Sequence, residues 1–472
     1  MSEKLMIDTV RRAVVGVEEH VNLLDGSRHP YINFDNASST PTLVPVLRRV
    51  NDFMQFYASV GRGSGYKSHV ASEEFESART TIGAFVGARP QSHVVILGKN
   101  TTEAVNKLAH RFPFSPGDIV LTSLMEHHSN DLPWRQVADV RFIAVREDGT
   151  LDLEDLEIKL KENRGRVKLV AITGASNVTG ILNPIGVIAR LAHEAGARFA
   201  VDAAQLAPHR AIDMGDPADP EHIDCLVYTG HKMYAPFGIG ALVTLRDCLR
   251  NDGPDLVGGG TVDFVTEHDV HWSGLPNREE AGTPNVVGAV AWAEAIRCLQ
   301  DIGMASIAAH ESKLADLLLK SLAGIPKARV FGVEDLGKAA DQLGVVTFAI
   351  EGVHHKLVSA ILGYEGGIGV RSGLFCAHPY VLRLLQITEL KQSQIADALS
   401  QEGIAALPGL TRASFGIYNN EAEVERAVEM LMTIAEGNQR GEYRRDPASG
   451  DFSPVGFAWP KLGTDYPPLK GC

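Results

Sequence analysis

The amino-acid sequence predicts an α/β fold in two parts, a parallel sheet wrapped by helices and then a smaller second domain. Three observations carry this expectation. Between about residues 80 and 245, short apolar runs alternate with helical patterns, as strands joined by helical crossovers do. Beyond about residue 290 the alternation gives way to long amphipathic helices and a few strands. At 472 residues the chain is also too long for one ordinary core.

In chain order, the expected strands are VVIL (94–97), IVLTS (119–123), KLVAIT (168–173) and FAVDAA (199–204). After Pro184, Ile188, Leu191, Ala192 and Ala195 fall at i, i+3, i+4 and i+7, so they share one helix face, and Gly196 ends that helix. Helices are expected over about 286–323 and a strand at VVTFAI (345–350). The stretch from about 439 is rich in proline, glycine and charge and reads as an irregular surface tail. Neither an internal repeat nor a low-complexity segment is evident. In open parallel sheets, ligands gather just past the carboxyl ends of strands, so the residues there carry the functional reading.

Composition narrows the class. An apolar fraction of 44% with 22% charged residues is that of an ordinary globular protein. The net charge of −13 repels nucleic acid and anionic lipid, so a small-molecule substrate is expected, with neither nucleic acid nor membrane as partner. The opening MSEKLMIDTVRR has no apolar run of the kind a signal peptide needs, and no uncharged stretch approaches the ~18 residues of a spanning helix. Cys225, Cys248, Cys298, Cys376 and Cys472 are odd in number, scattered and without a CxxC pair. Neither a disulfide framework nor a zinc site is therefore expected, and a reducing cytoplasm fits.

GRGSGYKS (61–68) imitates a phosphate-binding loop, but Tyr66 separates Gly65 from Lys67 where the motif needs them adjacent, and no clear strand precedes it. It reads as a loop lining a pocket.

Four segments carry chemistry. YTGHKMYAPFGIG (228–240) sets Lys232 in a loop between an apolar strand and a glycine-rich stretch; a lysine that attacks an aldehyde needs a depressed pKa and a nearby anion site, which Thr229 and His231 are placed to help form. VDAAQ (201–205) puts Asp202 at a strand end, where a carboxylate wants a cationic partner, with Gln205 on the following turn. GKNTTEAVNKLA (98–109) leads Thr101 and Thr102 into an amphipathic helix, either as a phosphate site or simply as a cap. MEHHSN (125–130) follows another strand, and its first histidine, His127, is placed to lie flat on a cofactor ring; adjacent histidines seldom face one ion, so no metal is expected.

Together with FDNASST (34–40), SNVTG (176–180) and EAGTPN (280–285), these segments resemble the class V aminotransferase family of fold-type I pyridoxal phosphate (PLP) enzymes, over about residues 30 to 435. The similarity is closest to the branch of cysteine desulfurases and selenocysteine lyases. The resemblance implies a mainly parallel seven-stranded sheet in a large domain at 31–290, a smaller α+β domain at 291–438, an N-terminal segment (1–30) packing with that smaller domain, and the tail at 439–472. It implies that Lys232 holds the cofactor as a Schiff base, that Asp202 keeps the ring nitrogen protonated, that Gln205 meets the ring hydroxyl and that His127 stacks on the ring. Thr101, Thr102, Thr229 and His231 would hold the phosphate. Thr283 would reach the phosphate of a neighbouring subunit in a homodimer with shared active sites, and Asn177 would face the substrate.

Two further resemblances bear on the reaction. RASFGIYN (412–419) is similar to the family segment whose arginine grips the substrate carboxylate, which implicates Arg412. VRSGLFCAHP (370–379) resembles the desulfurase segment in which a cysteine follows an arginine by five positions, here Arg371 and Cys376. A thiolate at Cys376 would take the substrate's sulfur, leaving a persulfide and alanine, and would pass that sulfur to an acceptor protein. The chain departs from the branch in having Gly61, Gly65, Leu374 and Phe375 at places that usually hold histidine. It also carries about twenty extra residues between Cys376 and Arg412, including LKQSQIADALSQEG, expected to reshape the active-site mouth. A β-eliminating carbon–sulfur lyase with Cys376 incidental, and a non-enzymatic PLP-binding protein, are the competing readings.

Overall fold

The computed structural model describes residues 9–61, 63–332, 342–402 and 407–458. Its larger sheet has seven strands in the spatial order His93–Gly98, Gly240–Leu245, Cys225–Thr229, Arg198–Asp202, Val167–Thr173, Ile119–Ser123 and Asp139–Ile143. Only Gly240–Leu245 runs against its neighbours, pairing antiparallel with both His93–Gly98 and Cys225–Thr229. The four apolar runs expected to be strands all lie in this sheet. Every residue of Ile119–Ser123 and Cys225–Thr229 is buried, since helices cover both faces of the sheet, and a strand buried on both faces reads as a continuous apolar run.

The helix after Pro184 spans Ile185–Glu194, and Gly196 lies just beyond it with φ +79°. The expected helical stretch at 286–323 resolves into Val286–Ile302 and Met304–Leu322. Val286–Ile302 packs against Val44–Met54 and Tyr66–Phe85, and its buried side chains, Trp292 among them, belong to the core of the larger sheet. The expected domain boundary at 290/291 thus falls inside one unbroken helix. Burial explains why: ten of that helix's residues are buried, so it is apolar nearly all round and belongs to the large core. The second core gathers Leu314, Leu318 and Leu322 with Phe348 and Phe415.

That second core lies on a four-stranded antiparallel sheet in the order Ala328–Phe331, Val345–Ile350, Leu410–Ser414 and Arg371–Gly373. The chain before residue 31 divides between the two cores. Val10, Val14 and Val17 join the large one, whereas the Leu24 amide donates to the Tyr364 carbonyl at 2.8 Å, on the side of the small sheet. Ile32–Asn33 then pairs parallel with Ile368–Gly369. Within the stretch expected to be irregular, Tyr443–Arg445 and Phe452–Pro454 form an antiparallel ribbon, tied to the small domain by Lys356 Nζ on Asp451 at 2.8 Å. The expected tail beyond residue 458 lies outside the described residues. Among the described residues no helix is long and apolar enough to cross a membrane.

Candidate active site

The carboxyl ends of the large sheet's strands meet the small sheet around a cavity of about 240 Å³. Asp202 closes the strand Arg198–Asp202; Lys232 ends the short 3₁₀ turn Gly230–Lys232 after Cys225–Thr229. From the opposite side the small sheet contributes Arg371 and Arg412, which face each other across paired strands. The cavity is lined by Thr101, Thr102, His127, Asn177, Asp202, Gln205, Thr229, His231, Lys232, Arg371, Cys376 and Arg412, so it brings together the sequence-predicted site residues except Thr283. Thr283 is exposed and lines no part of it. Among the described residues, neither GRGSGYKS nor the helix Glu389–Glu402 contributes a lining residue; Tyr66 to Ser68 instead begin the helix Tyr66–Phe85.

Burial pulls the Lys232 ammonium down to about 8; Asp202 opposes the shift and Arg412 adds to it. A lysine so poised supplies neutral amine near neutral pH, the form that attacks a carbonyl. Asp202 accepts the Ala204 amide at 2.9 Å, and burial raises its own pKa. A cation beside it is therefore favoured.

The helix Thr101–Arg111 is capped by Asn100, whose side chain accepts the Glu103 amide at 3.0 Å. Capping thus does not occupy the Thr101 hydroxyl, which lies buried without a hydrogen-bond partner. Gly240 makes the close fit possible: a Cβ there would stand 2.7 Å from the Asn100 Cα. Thr102 Oγ1 lies 2.7 Å from Ser129 Oγ, and Thr229 donates to the Ile239 carbonyl at 2.9 Å. Gln205 donates to the Ala37 carbonyl at 2.7 Å and leaves its Oε1 buried and unpartnered. An unmet hydroxyl at a helix N-terminus, an unmet carboxamide oxygen, a carboxylate and a low-pKa lysine fit the partners that the phosphate, ring hydroxyl, ring nitrogen and aldehyde of a phosphorylated pyridine aldehyde would need.

His127 Nδ1 accepts the Ser129 amide at 3.1 Å, which leaves the ring proton on Nε2. Burial and then the Lys232 charge push His127 down to about 3, so the ring facing the cavity is neutral. His231, displaced by the same causes in the same order, falls to about 4. His128 turns away and meets His378 edge-on, ring centroids 4.4 Å apart. Elsewhere, His193 and His222 both reach Asp224, but Arg198 donates to the same carboxylate at 2.7 Å, so the group is a satisfied hydrogen-bond network.

Just before His127, Glu126 is buried at 2% exposure between Ser123 and Asn130, which donate to its two oxygens at 2.5 and 2.7 Å. Burial raises its pKa from the ordinary 4.5 to about 8. The native chain then binds more protons than the unfolded chain between those values. Its contribution to stability is fully present below about pH 4.5 and is lost as pH rises through about 8. Glu126→Gln is expected to flatten that fall by about 2 to 4 kcal/mol. Urea denaturation at pH 5 and pH 8 checks it, and an unaltered slope would contradict it.

Cys376 is exposed and sits in an unusual backbone: Phe375 and Cys376 have φ of +51° and +53°. Left-handed conformations cost a non-glycine residue about 1 kcal/mol or more each, so neighbours must impose them. Asn177 donates to the Phe375 carbonyl at 2.7 Å, and the His128 amide donates to the Cys376 carbonyl at 2.7 Å. The Arg412 guanidinium lies 5.1 Å from the Phe375 ring centroid. Arg412 in turn donates to the Asn177 carbonyl at 2.7 Å and to Asp35 at 2.9 Å. Sequence reasoning had not assigned Ser38, Asn100, Ser129 or Phe375 a place at the cavity, nor Asp35 its contact with the Arg412 that lines it; Asp35 and Ser38 lie inside FDNASST, and that position was the available signal.

The aminotransferase class-V family model matches residues 32–427. The chain is 35% identical over 416 residues to a cysteine desulfurase of Haloferax volcanii, covering 86% of this chain and 90% of that protein. It is 34% identical over 411 residues to a probable cysteine desulfurase of Halalkalibacterium halodurans, covering 85% and 92%. Among solved structures, the apo cysteine desulfurase of Thermococcus onnurineus NA1 superposes with a TM-score of 0.78 at 31% identity, covering 91% of this chain and 98% of that one. The cysteine desulfurase CsdA of Escherichia coli gives 0.75 at 26% identity with the same coverage.

Proposed function

Because this chain belongs to the aminotransferase class-V family, we propose that it is a PLP-dependent cysteine desulfurase, which converts L-cysteine to alanine and leaves a persulfide on Cys376. The observation that carries the reading is the convergence of Lys232, Arg412 and Cys376 on one cavity. PLP, when bound, supplies the electron sink that loosens bonds to the substrate's α-carbon. Lys232 Nζ would hold the cofactor and would take and return the α-proton. Asp202 would serve the ring nitrogen, Gln205 the ring hydroxyl and the neutral His127 the ring face. Thr101, Thr102, Thr229 and His231 would hold the phosphate. Arg412 takes the substrate carboxylate, with Asn177 and Arg371 beside it. The Cys376 thiolate attacks the substrate's sulfur; the new S–S bond forms as the carbon–sulfur bond breaks, and the electron pair stays with the carbon skeleton that becomes alanine.

The test is to incubate the holoenzyme with L-cysteine and quantify alanine against pyruvate. Alanine supports the desulfurase; pyruvate would reassign the chain as a β-eliminating lyase.

We further propose a homodimer. Leu256 (53% exposed), Val257 (72%), Phe264 (60%), Val265 (52%) and Val270 (45%) are apolar side chains in one stretch of chain, and Thr283, expected to reach the cavity of a neighbouring subunit, is exposed. Sedimentation is expected to give twice the 50.9 kDa chain mass, reduced toward the single chain by Phe264→Lys. Exposure of Cys376 suits delivery of its sulfur to an acceptor protein, and the scattered cysteines suit a cytoplasmic setting.

A further inference from the structure

Arg412 is engaged before any ligand arrives. Its guanidinium offers five N–H bonds, and a carboxylate is gripped best by two parallel ones. Each such pair, Nε with Nη2 or Nη1 with Nη2, includes an Nη2 hydrogen. Nη2 already donates to Asp35 Oδ1 at 2.9 Å and to Ser38 Oγ at 3.0 Å, acceptors that themselves lie 2.7 Å apart. Nη1 donates to the Asn177 carbonyl at 2.7 Å, while Nε is buried without a partner. An arriving carboxylate can complete Nε, and in closing either fork it meets the Asp35 carboxylate already paired with Nη2.

The two partners are unequally held. The Arg412 side chain is 3% exposed and Asp35 24%, so the carboxylate is the one able to turn outward. Asp35 would not be stranded by doing so, because Ser38 Oγ also donates to its Oδ1, at 2.7 Å. Its backbone stays fixed independently of Arg412: the Asp35 amide donates to Asn33 Oδ1 at 3.0 Å, and the residue bridges Ser414.

We propose that Asp35 is a positioning residue that holds Arg412 in place of the ligand's carboxylate and competes with it, so that the Asp35 charge sets how tightly the site holds an amino acid. This rests on the reading of the cavity as an amino-acid site. Two roles follow for one side chain: it keeps a buried guanidinium paired while the site is vacant, and it lowers affinity for any carboxylate that must replace it.

The test is calorimetric titration of the holoenzyme with L-alanine, which carries the carboxylate and no sulfur, and with ethylamine, which lacks the carboxylate. Asp35→Asn is expected to tighten L-alanine binding about five- to tenfold and leave ethylamine unchanged, while Arg412→Gln weakens L-alanine about tenfold or more. Asp35→Ser, checked by its thermal melt, serves should the Asn variant not fold. Unchanged or weakened L-alanine binding in the Asp35 variants overturns the proposal. If Arg412→Gln is silent as well, the amino-acid reading of the cavity fails with it; if Arg412→Gln weakens binding as expected, Asp35 alone has been misread.

Discussion

Lys232→Ala is expected to lower turnover of L-cysteine by on the order of 10⁴-fold or more and to abolish covalent cofactor attachment. The size follows from two duties falling on one atom. Nζ is the amine that burial pulls down to about 8, which keeps it reactive near neutral pH, and in the proposed reaction it would also be the base at the substrate's α-carbon. Lys232→Arg should be no better, because a guanidinium is never the neutral nucleophile. Borohydride reduction followed by peptide mass analysis checks attachment: the wild-type chain should carry the reduced cofactor on the peptide containing Lys232, and the variant none. Attachment elsewhere, or turnover within tenfold of wild type, would remove Lys232 from the mechanism.

Cys376→Ala is expected to cost at least about a thousandfold in alanine formation while leaving the cofactor's spectrum intact. The contrast with Lys232 matters, because Cys376 stands on the small sheet's side of the cavity and makes no contact needed to hold a ring or a phosphate. Any fall in activity should then trace to the missing sulfur and not to a collapsed loop, since Asn177 and His128 grip the backbone carbonyls of Phe375 and Cys376. Alanine production that survives the substitution would assign the sulfur chemistry elsewhere, and pyruvate in its place would favour elimination.

Much of this architecture was legible in the chain, for an identifiable reason. Strands buried on both faces must be apolar throughout, so IVLTS and KLVAIT announce themselves without alternation. Lys232, Asp202 and Thr101 were legible because each follows such a run directly. The strand Gly240–Leu245 was harder to see, coming straight out of a glycine-rich stretch that reads as turn, and Asp139–Ile143 is an edge strand of mixed burial. The pairing of Asp35 with Arg412 joins residues 377 positions apart, and no local pattern encodes it. Nor does any propensity foretell the left-handed pair at 375 and 376, which tertiary hydrogen bonds impose. The boundary expected at 290/291 lies within the helix Val286–Ile302, whose buried residues run on unbroken from 288 to 293 and leave no polar break there to read.

The reversed strand Gly240–Leu245 also has a bearing on how the protein is made. Among the described residues, His93–Gly98 is an edge of the sheet whose sole neighbour is that strand, and the helix starting at Thr101 follows it closely. On the ribosome, the strand leading into Thr101 therefore has no partner in this sheet until residue 245 has emerged, and Arg412 comes later still. Such long-range closure is slow and leaves apolar strand edges uncovered during synthesis. A nascent chain cut short before residue 412 would have Lys232 yet lack Arg412, and with it the finished cavity.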